Sequence, residues 1–165
     1  MAADVMQRLA QLQKNMPGLR LYALIDGFQY ESHFAKPLDE NANLRSLFAD
    51  TIDAHLARAG PWLLDMESAT ADLASAVRQL ESTVPAVSWI IGAMDLSGLT
   101  KMLQARMQIE LPDGRSALLR LWDPRVLATV ARELDDEQRH QLFEEIVEWH
   151  LLLDGRRVRI GRHHA

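Results

Sequence analysis

Short apolar runs typical of β-strands alternate with helix-period segments along most of this chain. The strand-like runs cover residues 19–25, 62–66 and 87–91, and leucine or valine recurs at helical spacing across residues 3–16, 69–82 and 96–103. Both kinds of element need to bury an apolar face, so this alternation favours helices packed on a sheet. We therefore predict an α/β (mixed α+β) fold: one domain with a central mixed sheet of about five to seven short strands flanked by helices.

Two hairpins are predicted in the last third of the chain. The first pairs residues 107–111 with 116–122 around Pro112-Asp113-Gly114-Arg115. The second is C-terminal and pairs residues 151–153 with 158–160 around Asp154-Gly155. Between them, Pro124 suits the first turn of a helix, and Asp135 or Asp136 suits the cap of the next one.

The segment that follows the first strand is harder to assign. Asp26-Gly27 indicates a turn, Pro37 favours a loop, and Leu44, Leu47 and Phe48 predict a helical turn. Residues 51–58 fit a strand and a helix equally well.

Length and composition limit the class of protein. The chain has 165 residues, 48% hydrophobic residues, no cysteine and a net charge of −5. It is long enough for one core without disulfides, and it lacks both the apolar run of a membrane span and the pattern of a secretory signal. We therefore expect residues 1–165 to be one cytoplasmic domain whose partners include neither nucleic acid nor a membrane.

Charge is distributed unevenly near the C-terminus. Seven acidic residues are followed by a short basic tail: Glu133, Asp135, Asp136, Glu137, Glu144, Glu145 and Glu148, then Arg156, Arg157, Arg159 and Arg162. Such runs are usually a solvated helix face and an exposed edge strand. They could instead complement the charge of a partner. Likewise, the edge at residues 158–160 could accept a partner strand, or its arginines could protect it from pairing.

Motifs for catalysis or cofactor binding are missing from the sequence. It contains no phosphate-binding loop, dinucleotide fingerprint or nucleophile elbow, so we expect no cofactor. The six histidines form no metal-ligand spacing, and the adjacent His163-His164 pair is too few ligands for a site. We therefore expect no metal site and no catalytic residue. The alternative is a small enzyme that uses strand-end carboxylates, namely Asp26, Asp65 and Asp123; otherwise these groups cap helices or pair with arginines.

The segment 118–125 is the most distinctive in the chain. As a strand it would carry Arg120 and Trp122 on one face, which favours partial exposure of Trp122. Asp123 would cap the following helix and Pro124 would occupy its first position. Arg125 would then lie at the sheet edge, where its planar guanidinium could pair with Asp26. This arrangement fits a pinned strand-to-helix turn as well as it fits a binding site.

Four segments occur in an order that matches a known family. They are Leu21-Tyr22-Ala23-Leu24-Ile25-Asp26-Gly27, Gly60-Pro61-Trp62-Leu63-Leu64, Trp89 to Gly92 with the helix after it, and Leu119-Arg120-Leu121-Trp122-Asp123-Pro124-Arg125. Over roughly residues 20–150 the chain resembles the effector adaptors of the type VI secretion system, also called Tap-like effector chaperones and long catalogued as a domain of unknown function.

The resemblance implies a bacterial protein that binds other proteins and is not an enzyme. Relatives bind a toxic effector in the producing cell, often near its N-terminal region, and help to load it onto the VgrG spike. We therefore expect the effector and VgrG as partners. The predicted partner-binding residues are Asp26, Arg120, Trp122, Asp123 and Arg125. A purely structural or regulatory subunit remains a third class of function.

Overall fold

The computed structural model describes residues 3–162 and shows a three-layer α+β domain. The helices are α1 (Ala3–Gln13), α2 (Gly27–Phe34), α3 (Ala71–Thr83), α4 (Leu96–Met107), α5 (Pro124–Glu133) and α6 (Asp136–Leu142). The strands are β1 (Arg20–Asp26), β2 (Leu44–Ser46), β3 (Pro61–Asp65), β4 (Val87–Gly92), β5 (Gln108–Glu110), β6 (Ser116–Leu118), β7 (Ile146–Leu153) and β8 (Arg156–Gly161). A single 3₁₀ turn spans Ala54–Leu56. The predicted fold class is confirmed. The His163-His164 pair lies outside the described residues.

Six strands form the main sheet in the order β2-β3-β1-β4-β7-β8, and β5 pairs with β6 in a separate hairpin. The sheet was predicted to be mixed, but every pairing in it is antiparallel. The helix between β3 and β4 carries the chain across β1, so β3 and β4 run in the same direction without being neighbours. β1 therefore fills the centre of the sheet between them.

Each face of the sheet has its own apolar core. On one face Leu21, Ala23, Ile25 and Trp89 contact residues of α1, α2 and α3. On the other, the intervening residues of β1 and β4 and residues of β7 pack against α4, α5 and α6; they include Tyr22, Leu24, Ile90 and Trp149. Because helices cover both faces, the central strands are apolar on both sides, as their sequence predicts.

Side-chain caps define where most of the helices begin. Asp26, Thr70, Asp95, Asp123 and Asp135 each stand immediately before a helix and accept a hydrogen bond from a backbone N–H of its first turn. Asp135 also forms a reciprocal capping box with Gln138. The predicted caps of α5 and α6 are thus confirmed, while Asp26-Gly27 begins a helix where a simple turn was predicted.

The C-terminal hairpin is confirmed and is longer than predicted. Its turn has positive φ at both central residues, 51° at Asp154 and 75° at Gly155, as a two-residue type I′ turn requires. The helical turn predicted from Leu44, Leu47 and Phe48 is wrong for Leu44, whereas Leu47 and Phe48 do lie in a turn. Leu44 and Ser46 are buried while Arg45 between them is exposed, since this segment pairs with β3 as an edge strand.

Within the described part of the chain, no helix combines the length and the apolar character that crossing a membrane requires.

Candidate functional site

Three of the segments singled out in the sequence meet at one end of the sheet. Asp26, the last residue of β1, pairs in register with Pro61, the first residue of β3. The N–H of Gly27 donates to the carbonyl of Gly60 at 2.8 Å. Asp123 lies close enough for its charge to act on Asp26. We call this end of the sheet, formed by residues 26–27, 60–61 and 123–125, the signature corner.

The two glycines of the signature corner allow its chain segments to touch. A Cβ on Gly27 would lie 2.7 Å from the carbonyl oxygen of Gly60 and equally near the indole nitrogen of Trp62. A Cβ on Gly60 would clash with the ring of Phe48. Contacts this short exclude any side chain, so both glycines are required by close packing.

Asp26 is buried, with 5% of its surface exposed. Its carboxylate caps α2 by accepting a hydrogen bond from the N–H of Gln29 at 3.1 Å. Burial raises the pKa of Asp26, and the charge of Asp123 adds to this effect. The backbone N–H groups and the charge of Arg120 oppose the rise only in part.

Asp123 caps α5 and also holds Arg125. It accepts the backbone N–H of Arg125 at 2.9 Å and both Nε and Nη2 of that guanidinium, at 3.1 and 2.9 Å. Burial raises the pKa of Asp123, but the hydrogen bonds and charge of Arg125 outweigh it and hold that pKa below its usual value. The predicted Asp26–Arg125 pair is therefore wrong, because Asp123, two residues away, already engages the guanidinium.

The predicted exposure of Trp122 is also wrong. The strand ends at Leu118, so alternation along it does not extend to Trp122. Instead the chain turns inward and the Trp122 ring packs edge-on against Phe48, with ring centroids 5.5 Å apart at 88°. Only 5% of Trp122 is exposed. The guanidinium of Arg120 lies 5.6 Å from the centroid of the Trp122 ring, which places the indole in cation–π contact with Arg120.

Two arginines and one phenylalanine are exposed side chains in or close to the segments of the signature corner. Arg120 is exposed, and the side chain of Arg125 is 65% exposed. Phe28, in the first turn of α2, is 60% exposed, and we did not identify it from the sequence. Its position directly after Asp-Gly was the available signal. Arginine and aromatic side chains with this exposure are typical of protein interfaces.

The third carboxylate of the enzyme alternative lies elsewhere. Asp65 ends β3, which runs antiparallel to β1, so it pairs in register with Tyr22 and not with Asp26. Its carboxylate forms an ion pair with Arg20. The structure therefore brings Asp26 and Asp123 together and leaves Asp65 outside. Both of the former serve as helix caps, and neither lines any cavity that we describe among residues 3–162.

A buried charged network under α1 is a feature that the sequence analysis missed. Glu148 on β7 is 7% exposed, so the predicted solvated face does not include it. Its carboxylate accepts a hydrogen bond from Arg8 of α1 at 2.5 Å and lies 2.9 Å from Nε2 of His150. These contacts join α1 to the C-terminal hairpin. The sequence feature that could have indicated their burial is the alternation of Glu148 and His150 with apolar residues along β7.

A second part of this network joins α3 to β8. The Arg157 guanidinium forms ion pairs with Glu81 and with Asp4, the latter at 2.9 Å. Glu81 lies on the apolar side of α3 and also accepts the indole N–H of Trp89 at 2.7 Å. Burying a charged pair is costly unless its polar atoms find such partners, and these contacts supply them.

His150 makes the stability of the fold dependent on pH. Burial lowers the pKa of His150, the charges of Arg157 and Arg159 add to this, and the hydrogen bond with Glu148 opposes it. Unfolded histidine binds a proton near pH 6.5, whereas folded His150 binds it only at lower pH. The unfolded state therefore gains protons first as the pH falls below about 6.5, and the free energy of unfolding decreases.

We expect urea titrations of the wild-type protein to show this decrease between neutral pH and about pH 5.5, and a His150→Gln variant to show a flatter profile there. Glutamine keeps a donor for Glu148 but does not titrate. The pKa of Glu148 is below its usual value, so this carboxylate stays charged across the window. Parallel profiles for the two proteins would contradict the assignment to His150.

The fold and the signature corner define a three-layer α+β domain with arginine and phenylalanine at the exposed end of its central strand. The sequence profile of a family described as a domain of unknown function, DUF4123, matches residues 21–141. The protein therefore belongs to this family. The matched range contains all three segments of the signature corner. No curated protein and no solved structure matches the chain.

Proposed function

We propose that this protein is an adaptor that binds a type VI secretion effector in the cytoplasm of the producing cell and helps to load it onto the VgrG spike. The observation that carries the proposal is the convergence of the Asp-Gly, Gly-Pro-Trp and Asp-Pro-Arg segments, by which the chain resembles that family, in one corner. Buried groups of this corner fix its geometry, and its outer surface is free to contact a protein.

The chemistry of the signature corner suits binding better than catalysis. Its two carboxylates are each occupied by backbone N–H groups at helix starts. The exposed groups are two guanidinium groups and a phenyl ring, which bury well against a partner and can pair with its carboxylates. Such a surface is small enough to leave the adaptor soluble before it meets its effector.

Co-purification tests the proposal directly. A tagged copy of this chain, expressed with the effector of the same secretion gene cluster, should elute with it as one complex on size exclusion. Adding purified VgrG should shift that complex to a larger size. An effector that is soluble alone and elutes separately from this chain, with or without VgrG, would contradict the adaptor role.

A further inference from the structure

The largest cavity that we describe lies along the free edge of the sheet. Its volume is about 640 Å³, and it extends beside β8 between α5 on one face of the sheet and α1 on the other. Residues 158–161 form its floor, Ala128 and Ala131 line the α5 side, and Arg8 lines the α1 side. We call it the edge groove.

The edge groove has a strong excess of positive charge. Five arginines line it, against the single carboxylate of Glu148: Arg8, Arg132, Arg139, Arg159 and Arg162. Glu148 already contacts Arg8 and His150, and Arg159 lies farther from it at 3.5 Å. The ion pairs found among residues 3–162 leave Arg132, Arg139 and Arg162 without a carboxylate. This excess is unusual in a chain with a net charge of −5.

Arg139 is the least compensated of these arginines. Only 5% of it is exposed. Its guanidinium donates to two backbone carbonyls, those of Ala131 and Gly161, the latter at 3.0 Å. Its Nε is buried and has no hydrogen-bond partner among the described residues. A buried guanidinium without a counter-charge is costly, so the groove favours an anionic occupant.

Backbone groups of β8 also face the edge groove. The two-residue turn makes Leu153 and Arg156 a hydrogen-bonded pair, and the pairs that follow alternate between hydrogen-bonded and non-hydrogen-bonded. The N–H and C=O of Arg157 and Arg159 therefore point away from β7 toward the free edge. Groups of this kind are a template for an additional strand.

We propose that the edge groove binds an extended acidic segment of a partner protein, which adds to β8 as a further strand and places its carboxylates against Arg132, Arg139 and Arg159. A second copy of this chain does not fit, because pairing β8 with itself would oppose arginine to arginine. The inference builds on the proposed function, since it identifies the kind of segment that a partner of the adaptor would present.

The test uses a fluorescent peptide in which pairs of adjacent glutamates, whose side chains lie on opposite faces of a strand, are separated by two single valines. It is titrated with the full-length protein and followed by anisotropy. Arg132→Glu with Arg159→Glu should weaken binding by at least about tenfold, because two favourable charge contacts become repulsive. The matched control is Arg45→Glu, which changes an exposed arginine on β2, the opposite edge strand. It should leave the affinity unchanged.

A second pair of variants isolates the backbone contribution. Arg159→Ala removes the side-chain charge, and Arg159→Pro also removes an N–H that faces the groove and makes no bond to β7. The proline variant should bind about fivefold more weakly than the alanine variant. A control peptide with proline in place of its valines keeps the charge, loses two N–H groups and should bind similarly weakly.

Several results would overturn the proposal. Equal binding of both peptides would contradict the addition of a strand to β8. An Arg45→Glu effect as large as that of the groove variants would contradict the location of the site. Displacement of the peptide by duplex DNA or inorganic phosphate at the same total charge would contradict a peptide as the ligand. If the effector co-purifies but the peptide does not bind, only this inference fails; in the reverse case, only the adaptor role fails.

Discussion

Replacing Trp122 by alanine is expected to lower the free energy of unfolding by about 3–5 kcal/mol, the range found for buried aromatic residues. Trp122 packs in the core between Phe48 and Arg120, and no more than 5% of it is exposed. Its removal would leave a cavity below the signature corner. Urea unfolding followed by circular dichroism measures the change.

Arg120→Ala is the matched control for Trp122→Ala. Arg120 is exposed and touches the same ring from outside, so its removal should leave the unfolding midpoint close to that of the wild type. If Trp122→Ala costs no more than Arg120→Ala, then the indole is not a core group. In that case the prediction that Trp122 contacts a partner would again apply.

Arg157→Ala is expected to cost about 3 kcal/mol, because it leaves the carboxylate of Glu81 buried without its counter-charge. The Glu81 side chain is 2% exposed and the Arg157 side chain 16%. Among residues 3–162, Arg157 is the positive group that forms an ion pair with Glu81, and we find no second one that could replace it. The same denaturation experiment measures the loss.

A second substitution separates lost charge from lost packing. Glu81→Gln removes the charge and keeps an oxygen to accept the indole N–H of Trp89. Added to Arg157→Ala, it should recover much of the lost stability, so the two changes should be clearly non-additive. Additive losses would indicate that Arg157 contributes through packing and that the ion pair contributes little.

Local sequence patterns predicted the parts of the fold that depend on local chemistry. The apolar run ending at Asp26 became the central strand, the Asp123-Pro124 pair began a helix, and Asp154-Gly155 closed a hairpin. In each case the residues themselves determine the backbone conformation, through burial, capping or positive φ. These predictions needed no knowledge of neighbouring elements.

Features that depend on tertiary packing were not predictable in this way. The direction of strand pairing follows from how β3 and β4 are placed on either side of β1, and no local signal encodes it. Leu44 and Leu47 are three residues apart, which is a helical spacing, but the same spacing also suits an edge strand followed by a turn. The ion pairs of Glu81 and Glu148 join residues 76 and 140 positions away in the chain.

In the candidate site, too, some features could be predicted from local sequence and others depend on tertiary packing. Its members were identified from the Asp-Gly and Asp-Pro-Arg segments, and Asp26 and Asp123 do lie together. The sequence could not reveal that Asp123 would pair with Arg125, or that the chain would turn Trp122 inward after Leu118. Phe28 was missed because its exposure depends on how α2 leaves the sheet.

We propose that an effector binds at Arg120 and Arg125, at the signature corner. The affinity of the purified effector for this protein tests this most directly. By isothermal titration, Arg120→Ala with Arg125→Ala should weaken binding about tenfold, whereas Arg45→Ala with Arg78→Ala, two exposed arginines elsewhere, should not change it. Equal affinity of the corner variant and the wild type, with both folded, would contradict the claim.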